Sequence, residues 1–538
     1  MITSRRERRF LLPLLVLLAG FGDAASPVPP TGQSAAVPRY NGTFRIKGNW
    51  LPFNQVFDPA RPSHYFITEQ LFDGLVKFDA HYNPVPALAE YWKISDGGSR
   101  ITFKLRKGVL FHNGRELTAE DVKYSLERLV QNRPDNTFYQ NFTRKVAGAE
   151  AYWQGQADEV TGFRVVDPGT FEILWTRPFG SVGLYLLGMH YCKILPKDLL
   201  ESQGRNFFHK PVGTGPFKFD EWIRSPRLEI LGVRLERNPA YYGDRKPYVS
   251  AIEYSPHFTD DQFEEGSVHL VTVTSERLLR RRYPVLESDT LRTCFLALSC
   301  DIPPLDRPEV RKALALGLDK AGLAGAYDTP SNVHLPLENF IPPLLPGFFP
   351  RAGGPAADPA AAKLLLDRLL AGSGPGGLAL ELVFATPRTD ATARFARELE
   401  RQLAAMGIGL GVKYLRKPED VLGIRTPYLS FLDYSMDFPD PENIIVPLFH
   451  SRSVVNGFNS RYANAKLDGL LELCEVEPSW EKRADLFRKA EQLLFQETPA
   501  IPLFSERVRI ALRPEVRGVK VPAMGFISLD VKAIWLED

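Results

Sequence analysis

The stretch SMDFPDPENII, residues 435–445, crowds acids and prolines between the strand-like YLSFLDY and an apolar run. Two of its acids have local explanations. Asp440 followed by Pro441 reads as a helix N-cap with proline at the first helical position, where a missing N–H costs nothing. Glu442 then falls in the first turn, where negative charge suits the helix dipole. Asp437 has neither role. It lies too far upstream to cap and sits between Met436 and Phe438, where an unpaired carboxylate is costly if buried. The chemistry that fits is capture of a cation. A surface turn acid, or a salt bridge to an arginine of the same chain, is the structural alternative.

Other chemistries leave no spacing signal. The nine histidines form no H-x-x-x-H pair, and neither G-x-S-x-G nor a Walker A motif occurs. GTG at 213–215 lacks the Lys-Ser/Thr of a phosphate cradle and reads as a turn. The four cysteines, Cys192, Cys294, Cys300 and Cys474, include no C-x-x-C. Cys294 and Cys300 lie six residues apart in TCFLALSC, which reads as one buried strand. A straight strand separates them by roughly 20 Å, beyond the roughly 7 Å limit of a disulfide, so they are expected to be core thiols. A secreted hydrolase would need a nucleophile elbow, a zinc motif or a carboxylate pair, and only the last is compatible with these spacings. No metal or cofactor is called for.

The elements around the acidic stretch are those of a large globular protein. At 538 residues, 44% hydrophobic and 24% charged, the chain is long enough for two or three domains. Its N-terminus has a basic region (Arg5, Arg6, Arg8, Arg9), then an apolar run from Phe10 to about Ala19 and small residues. That predicts a signal peptide, residues 1–24, cleaved after Ala24 and followed by a Pro-rich linker, 25–40. The run is too short to span a bilayer comfortably. LLAG followed by Phe21 resembles a lipoprotein box without its cysteine, so a soluble, non-acylated, exported (periplasmic) protein is expected. Arg8-Arg9 followed by FLL also resembles a twin-arginine signal. Residues 1–24 carry a net charge of +2, equal to that of the whole chain, so the remainder is formally neutral. A basic footprint for nucleic acid is therefore missing, and Arg280-Arg281-Arg282 reads as a solvated face.

FRIKGN predicts a strand, and PSHYFITEQLFDGLVKFD a loop leading into a helix. Ile101, Phe103 and Leu105 alternate, and with Asn113-Gly114 they predict a β-hairpin over 101–117. Thr118 with an acid three residues later predicts a capped helix with Val122, Leu126, Leu129 and Val130 on its apolar face. Strands are expected at 163–166 and 171–175 and through much of 205–290. Helices are expected to start at Asp358-Pro359, at Asn464, at Ser479, and over ATARFARELERQLAAMG, closed by Gly407. This mixture predicts an α/β protein with more than one sheet.

Several segments together resemble the family 5 extracellular solute-binding proteins, the periplasmic oligopeptide- and dipeptide-binding type that serves ABC importers. They are LAEYWKISDGGSRITFKLRKGVLFHNGRELTAEDVKYSLERL (88–129), PVGTGPFKFDEW (211–222) with NPAYYGDRKPYVSAIEY (238–254), DRPEVRKALALGLDK (306–320), and YSMDFPDPENIIVPLF through RADLFRKAEQLLFQETPAIPLF (434–504). The resemblance implies a periplasmic-binding-protein-like, two-lobed clamshell. Lobe I would combine 41–78, 201–290 and 501–538, with 79–200 as an appended subdomain, and lobe II would be 291–500. It implies a monomer that captures a peptide or other small solute and delivers it to ABC permease subunits. Asp437 falls where relatives pair an aspartate with the ligand α-ammonium. Ser63 and His64, in the loop PARPSHY, fall where relatives line the cleft. Arg388 lies near a position where relatives grip a ligand carboxylate, while Phe431 replaces the other such arginine. Tyr139 and Tyr434 are aromatic candidates. Some family members carry nickel chelates, haem or sugars instead of peptides.

Overall fold

Long-range pairing organises this chain around one mixed sheet, seen in a computed structural model that describes residues 38, 40–48, 56–61, 65–79, 82–131, 143–281, 283–345, 356–371, 378–522 and 529–537. Backbone contacts divide the chain into Met1–Pro38 and Arg39–Asp538, and the second unit holds everything described below. The large sheet has eleven strands among the described residues. From one edge they run Gly409–Tyr414, Ala379–Phe384, Tyr428–Ser435, Val285–Leu298, Ala500–Leu512, Leu270–Thr272, Thr43–Lys47, Ala251–Ser255, Ile230–Arg237 and Phe217–Arg224. Asn332–Pro336 pairs with Ala500–Leu512 beside this path.

Two strands hold the sheet together. Val285–Leu298 and Ala500–Leu512 pair antiparallel along most of their length, with the register broken between Asp289 and Thr293. Beyond that break Val285–Leu298 is buried on both faces, as its unbroken apolar sequence requires. Cys294, Leu296 and Leu298 face a core containing Phe384, Phe395, Leu399, Phe431 and Phe504. Phe295 and Ala297 face the opposite core, with Phe340, Ile444, Leu448, Phe487 and Leu494. The strand-rich middle of the chain and its tail share the sheet through Leu270 opposite Leu512.

A separate four-stranded sheet, in the order Ala89–Ser95, Arg100–Leu105, Thr170–Leu174 and Phe163–Asp167, packs its apolar face against helix Ala119–Val130. The hairpin expected over 101–117 is not formed. Both edges of Arg100–Leu105 are occupied, by Ala89–Ser95 and Thr170–Leu174, so no edge remains for a returning arm. The Asn113-Gly114 turn is real but closes only a small loop, with a single bridge between Leu110 and Glu116. Gly114 takes the positive φ (+88°) that turn demands.

The other local signals hold. Asp358, Asn464 and Ser479 each cap a helix through the side-chain oxygen, and Thr389, not singled out in the sequence, caps another. Phe395, Leu399, Leu403 and Met406 form the buried stripe of Asp390–Ala405, and Gly407 ends it at φ +76°. The GTG segment is a turn pressed against the end of helix Tyr65–Leu71. A Cβ on Gly213 would lie 1.9 Å from the Leu71 carbonyl oxygen. All four thiols are unpaired. Cys294 is buried as expected, whereas Cys300 lies beyond its strand and is only half-buried.

Candidate ligand-binding site

Strand Tyr428–Ser435 delivers the acidic turn to one edge of the sheet. It runs parallel to Ala379–Phe384, with Phe384 opposite Phe431, and antiparallel to Val285–Leu298, with Arg292 opposite Ser435. Alternation sorts its side chains. Phe431 sits in an aromatic cluster with Phe384, Phe395, Phe504 and Tyr327. Asp433, on the same face, accepts from Arg292 Nε at 2.6 Å. Tyr434, on the other face, packs towards Ile444 and Leu448.

Both sides of Asp437 are then pinned. Its own N–H donates to the Asn443 side-chain oxygen at 2.6 Å, and the Tyr434 hydroxyl donates to the Asn443 carbonyl at 2.8 Å. Met436 and Phe438 are buried. Asp440, fully buried, accepts from Arg483 Nη1 and Nη2 at 2.5 and 2.7 Å, and Glu442 accepts from the same guanidinium at 2.9 Å. This corrects the expectation for Asp440, while Glu442 keeps its expected place in the first helical turn. The helix runs Glu442–Phe449, one residue later than expected. Asp440 does accept from the Glu442 N–H at 2.8 Å, but its charge is held by Arg483, forty-three residues away. A buried guanidinium needs such a partner, and a local reading of the turn does not supply one.

Asp437 is the exception in this turn. Its side chain reaches solvent, yet burial by the surrounding protein pushes its carboxyl above the usual range, and no cation among the described residues lowers it. No ion pair joins it to any described residue. Its charge acts on three phenols: Tyr65, Tyr191 and Tyr434 are each raised by burial first, and further by Asp437, Tyr65 to about 12. Tyr65 opens the helix Tyr65–Leu71 and lies against the His190 ring at 3.7 Å between centroids, and His190 meets Tyr191 edge-on at 5.0 Å. Burial and the nearby Lys193 hold His190 neutral, down to about 3, and its Nδ1 is buried without a hydrogen-bond partner. One helical turn beyond Tyr65, Glu69 pairs with Lys193 at 2.7 Å. The arrangement is a lone exposed carboxylate beside neutral rings, suited to a ligand cation.

Among the other sequence-predicted residues, Ser63, His64 and Tyr139 lie outside the described residues. Arg388 is exposed, without an ion-pair partner among the described residues, in the loop after Ala379–Phe384. Because that strand and Tyr428–Ser435 are parallel, its loop and the Asp437 turn leave the same carboxyl edge of the sheet, where ligands of open α/β sheets gather. Tyr434 is a packing and bracing residue. Tyr65, His190, Tyr191 and Asn443 were not picked out in the sequence; only Tyr65, directly after the PARPSH loop, carried a positional hint.

A cavity of about 490 Å³ lies elsewhere, lined by Leu316, Lys320, Glu338, Phe340, Phe495 and Ile501, among others. Its Lys320 is already committed to Glu338 and the Leu337 carbonyl, and none of the predicted site residues borders it. No group of three or more histidine, cysteine, aspartate or glutamate side chains among the described residues could hold a metal ion.

Residues 83–456 match the family described as bacterial extracellular solute-binding proteins, family 5 Middle. The dipeptide-binding protein of Escherichia coli (strain K12) is 25% identical over 492 residues, covering 85% of this chain and 87% of the relative. Heme-binding protein A of Haemophilus influenzae is 25% identical over 559 residues, covering 96% and 98%. Among solved structures, the unliganded open form of the periplasmic murein tripeptide binding protein MppA superposes with a TM-score of 0.77 at 20% identity, covering 93% of this chain and 97% of that one.

Proposed function

The chain belongs to the bacterial extracellular solute-binding proteins of family 5, with the substrate-binding role of an ABC importer, and we propose that its ligand is a peptide whose α-ammonium pairs with Asp437. The observation that carries this reading is the unpaired, solvent-reaching carboxylate of Asp437 in a turn where every other acid is paired. An ammonium delivered there would relieve the cost of a partly desolvated charge. The E. coli and H. influenzae relatives are named for a dipeptide and for haem. Haem brings propionates, which a lone carboxylate repels, so the site favours the amine-bearing ligand. Arg388, on the same carboxyl edge, is the candidate partner for the peptide carboxylate, and Ser63, His64 and Tyr139 remain candidate polar and aromatic contacts.

In this reading lobe I combines 41–78, 201–290 and 501–538, with 79–200 appended, and 291–500 forms lobe II. Val285–Leu298 and Ala500–Leu512 run between the two, and the broken register between Asp289 and Thr293 supports a hinge near the proposed 290/291 boundary. Closure about it would enclose the ligand. The protein would be exported by its N-terminal segment, soluble and monomeric, and would hand its ligand to permease subunits. The family is periplasmic or extracellular, and among the described residues no helix is long and apolar enough to cross a membrane.

Titration calorimetry with peptides bearing a free amino terminus, against their N-acetylated forms, tests the assignment. Acetylation removes the charge and should reduce affinity by about thirty-fold or more, the cost of one partner of a desolvated pair. Equal binding of both forms would remove the ammonium assignment.

A further inference from the structure

An ion-pair chain runs from the base of the Asp437 turn to a different core. Asp440 and Glu442 share Arg483. Lys145 Nζ lies 4.0 Å from Glu442 and 2.5 Å from Glu475, and Arg177 takes the other oxygen of Glu475. Lys145 also sits over the Phe179 ring at 4.1 Å. Phe179 belongs to the core of the four-stranded sheet, whereas the helices carrying Glu442, Glu475 and Arg483 pack on the large sheet. The same two bodies meet through Phe438, which leaves the acidic turn to join the core of Leu75, Leu187 and Met189. Lys145, Glu475 and Glu442 are each less than one-fifth exposed, so their attraction is less screened than that of a surface pair.

We propose that Lys145, with Glu475 and Arg177, is a positioning tie for the binding site, which holds the turn carrying Asp437 against the segment bearing His190 and Tyr191 without itself touching ligand. The proposal rests on Asp437 being the ligand's partner. Lys145 and Arg177 lie on the lobe I side and Glu475 on the lobe II side, so the tie belongs to the closed arrangement and biases the hinge towards it. It keeps the carboxylate and the rings at binding distance, and loosening it lowers the fraction of molecules competent to bind, which scales the apparent affinity directly. Burial pushes Glu442 above its usual carboxylate range while Lys145 and Arg483 pull it back, as expected of an acid these cations serve.

The test compares wild type with Lys145→Met, Glu475→Gln and the double variant, each first shown to melt cooperatively. Trialanine, a net-neutral peptide, is titrated by calorimetry at low and high salt. At low salt each single variant should bind about three- to tenfold more weakly, and the double variant should lose less than the two losses combined, because the singles share the Lys145–Glu475 pair. At high salt the wild type should fall towards the variants. Singles that bind as wild type does at low salt, or whose losses add in the double, would overturn the tie. Small-angle scattering on the protein alone keeps the two readings separate. If wild type binds no trialanine, the peptide assignment is what suffers. The tie then stands if Lys145→Met enlarges the radius of gyration or broadens its distribution, and falls if the curves superpose.

Discussion

Asp437 and Asp440 stand three residues apart in one turn, and the fold treats them oppositely. Asp440 is fully buried and gives both oxygens to Arg483, which also holds Glu442. Asp433, at the end of the preceding strand, is likewise paired, with Arg292. Asp437 is given backbone support through Asn443 but no cation among the described residues. In the proposed reading, a chain that neutralises its acids at both neighbouring positions and leaves one without a cation among the described residues holds that carboxylate for a partner from outside. Paired charges in this region set structure, and the proposal gives the remaining one to the ligand.

The largest expected effect breaks the paired side. Arg483→Met leaves Asp440 buried without its cation and should destabilise the protein by about 3–5 kcal/mol, because removing one partner of a buried pair exposes the full desolvation cost of the other. Denaturant unfolding measures it. A loss below about 1 kcal/mol would show that the turn's charges are not what fixes it, and the contrast with Asp437 would lose its footing.

Breaking the unpaired side should act on binding instead. Asp437→Ala should weaken peptide affinity by about 2–5 kcal/mol, roughly thirty-fold to several-thousand-fold, with stability unchanged or slightly raised. The pH dependence carries the sign. Burial raises the folded-state pKa of Asp437 above its unfolded value, so the folded protein favours the protonated acid. Stability from that group is complete below the unfolded carboxylate pKa, about 3.9, and is lost as pH rises through the higher folded value. Melting temperatures of wild type and Asp437→Asn, measured without peptide, should therefore diverge in the variant's favour as pH rises across that window. Saturating peptide should close the gap. A wild type that gains on the variant with rising pH would mean that Asp437 has a cation within the protein after all.

What was legible in the sequence follows the reach of each interaction. Caps at Asp358, Asn464 and Ser479 and the stripe on Asp390–Ala405 depend on residues within a few positions, and they were readable. The hairpin over 101–117 failed because its turn chemistry is local, whereas the neighbours of Arg100–Leu105 are chosen by pairing with residues as distant as 174. Asp437 was legible as an acid without a local job, and the family resemblance supplied the partner proposed for it. Its surroundings were not. Arg483 reaches the turn at Asp440, Lys145 reaches it at Glu442 while pairing with Glu475, and His190 lies against Tyr65, all from distant segments, and no spacing in a single sequence marks such contacts.

Tyr434 sharpens the comparison at its smallest scale. From the sequence it was an aromatic candidate for ligand contact, yet its hydroxyl donates to the Asn443 carbonyl at 2.8 Å. In the helix Glu442–Phe449 that carbonyl would ordinarily accept from the N–H four residues on, but that residue is Pro447, which has none. The Tyr434 hydroxyl replaces the missing donor and steadies Asn443, whose side chain in turn accepts from the Asp437 N–H. Tyr434→Phe keeps the ring and removes only this bond. It should cost about 1–2 kcal/mol of stability, the penalty for a buried acceptor left unmade. Peptide affinity should fall by only about threefold or less, since Asp437 keeps its own bond to Asn443. Thermal unfolding and calorimetry on the same preparation separate the two quantities. If instead Tyr434→Phe holds its stability and loses affinity as steeply as Asp437→Ala, then the hydroxyl serves the ligand, and the boundary between bracing and binding in this turn moves three residues upstream.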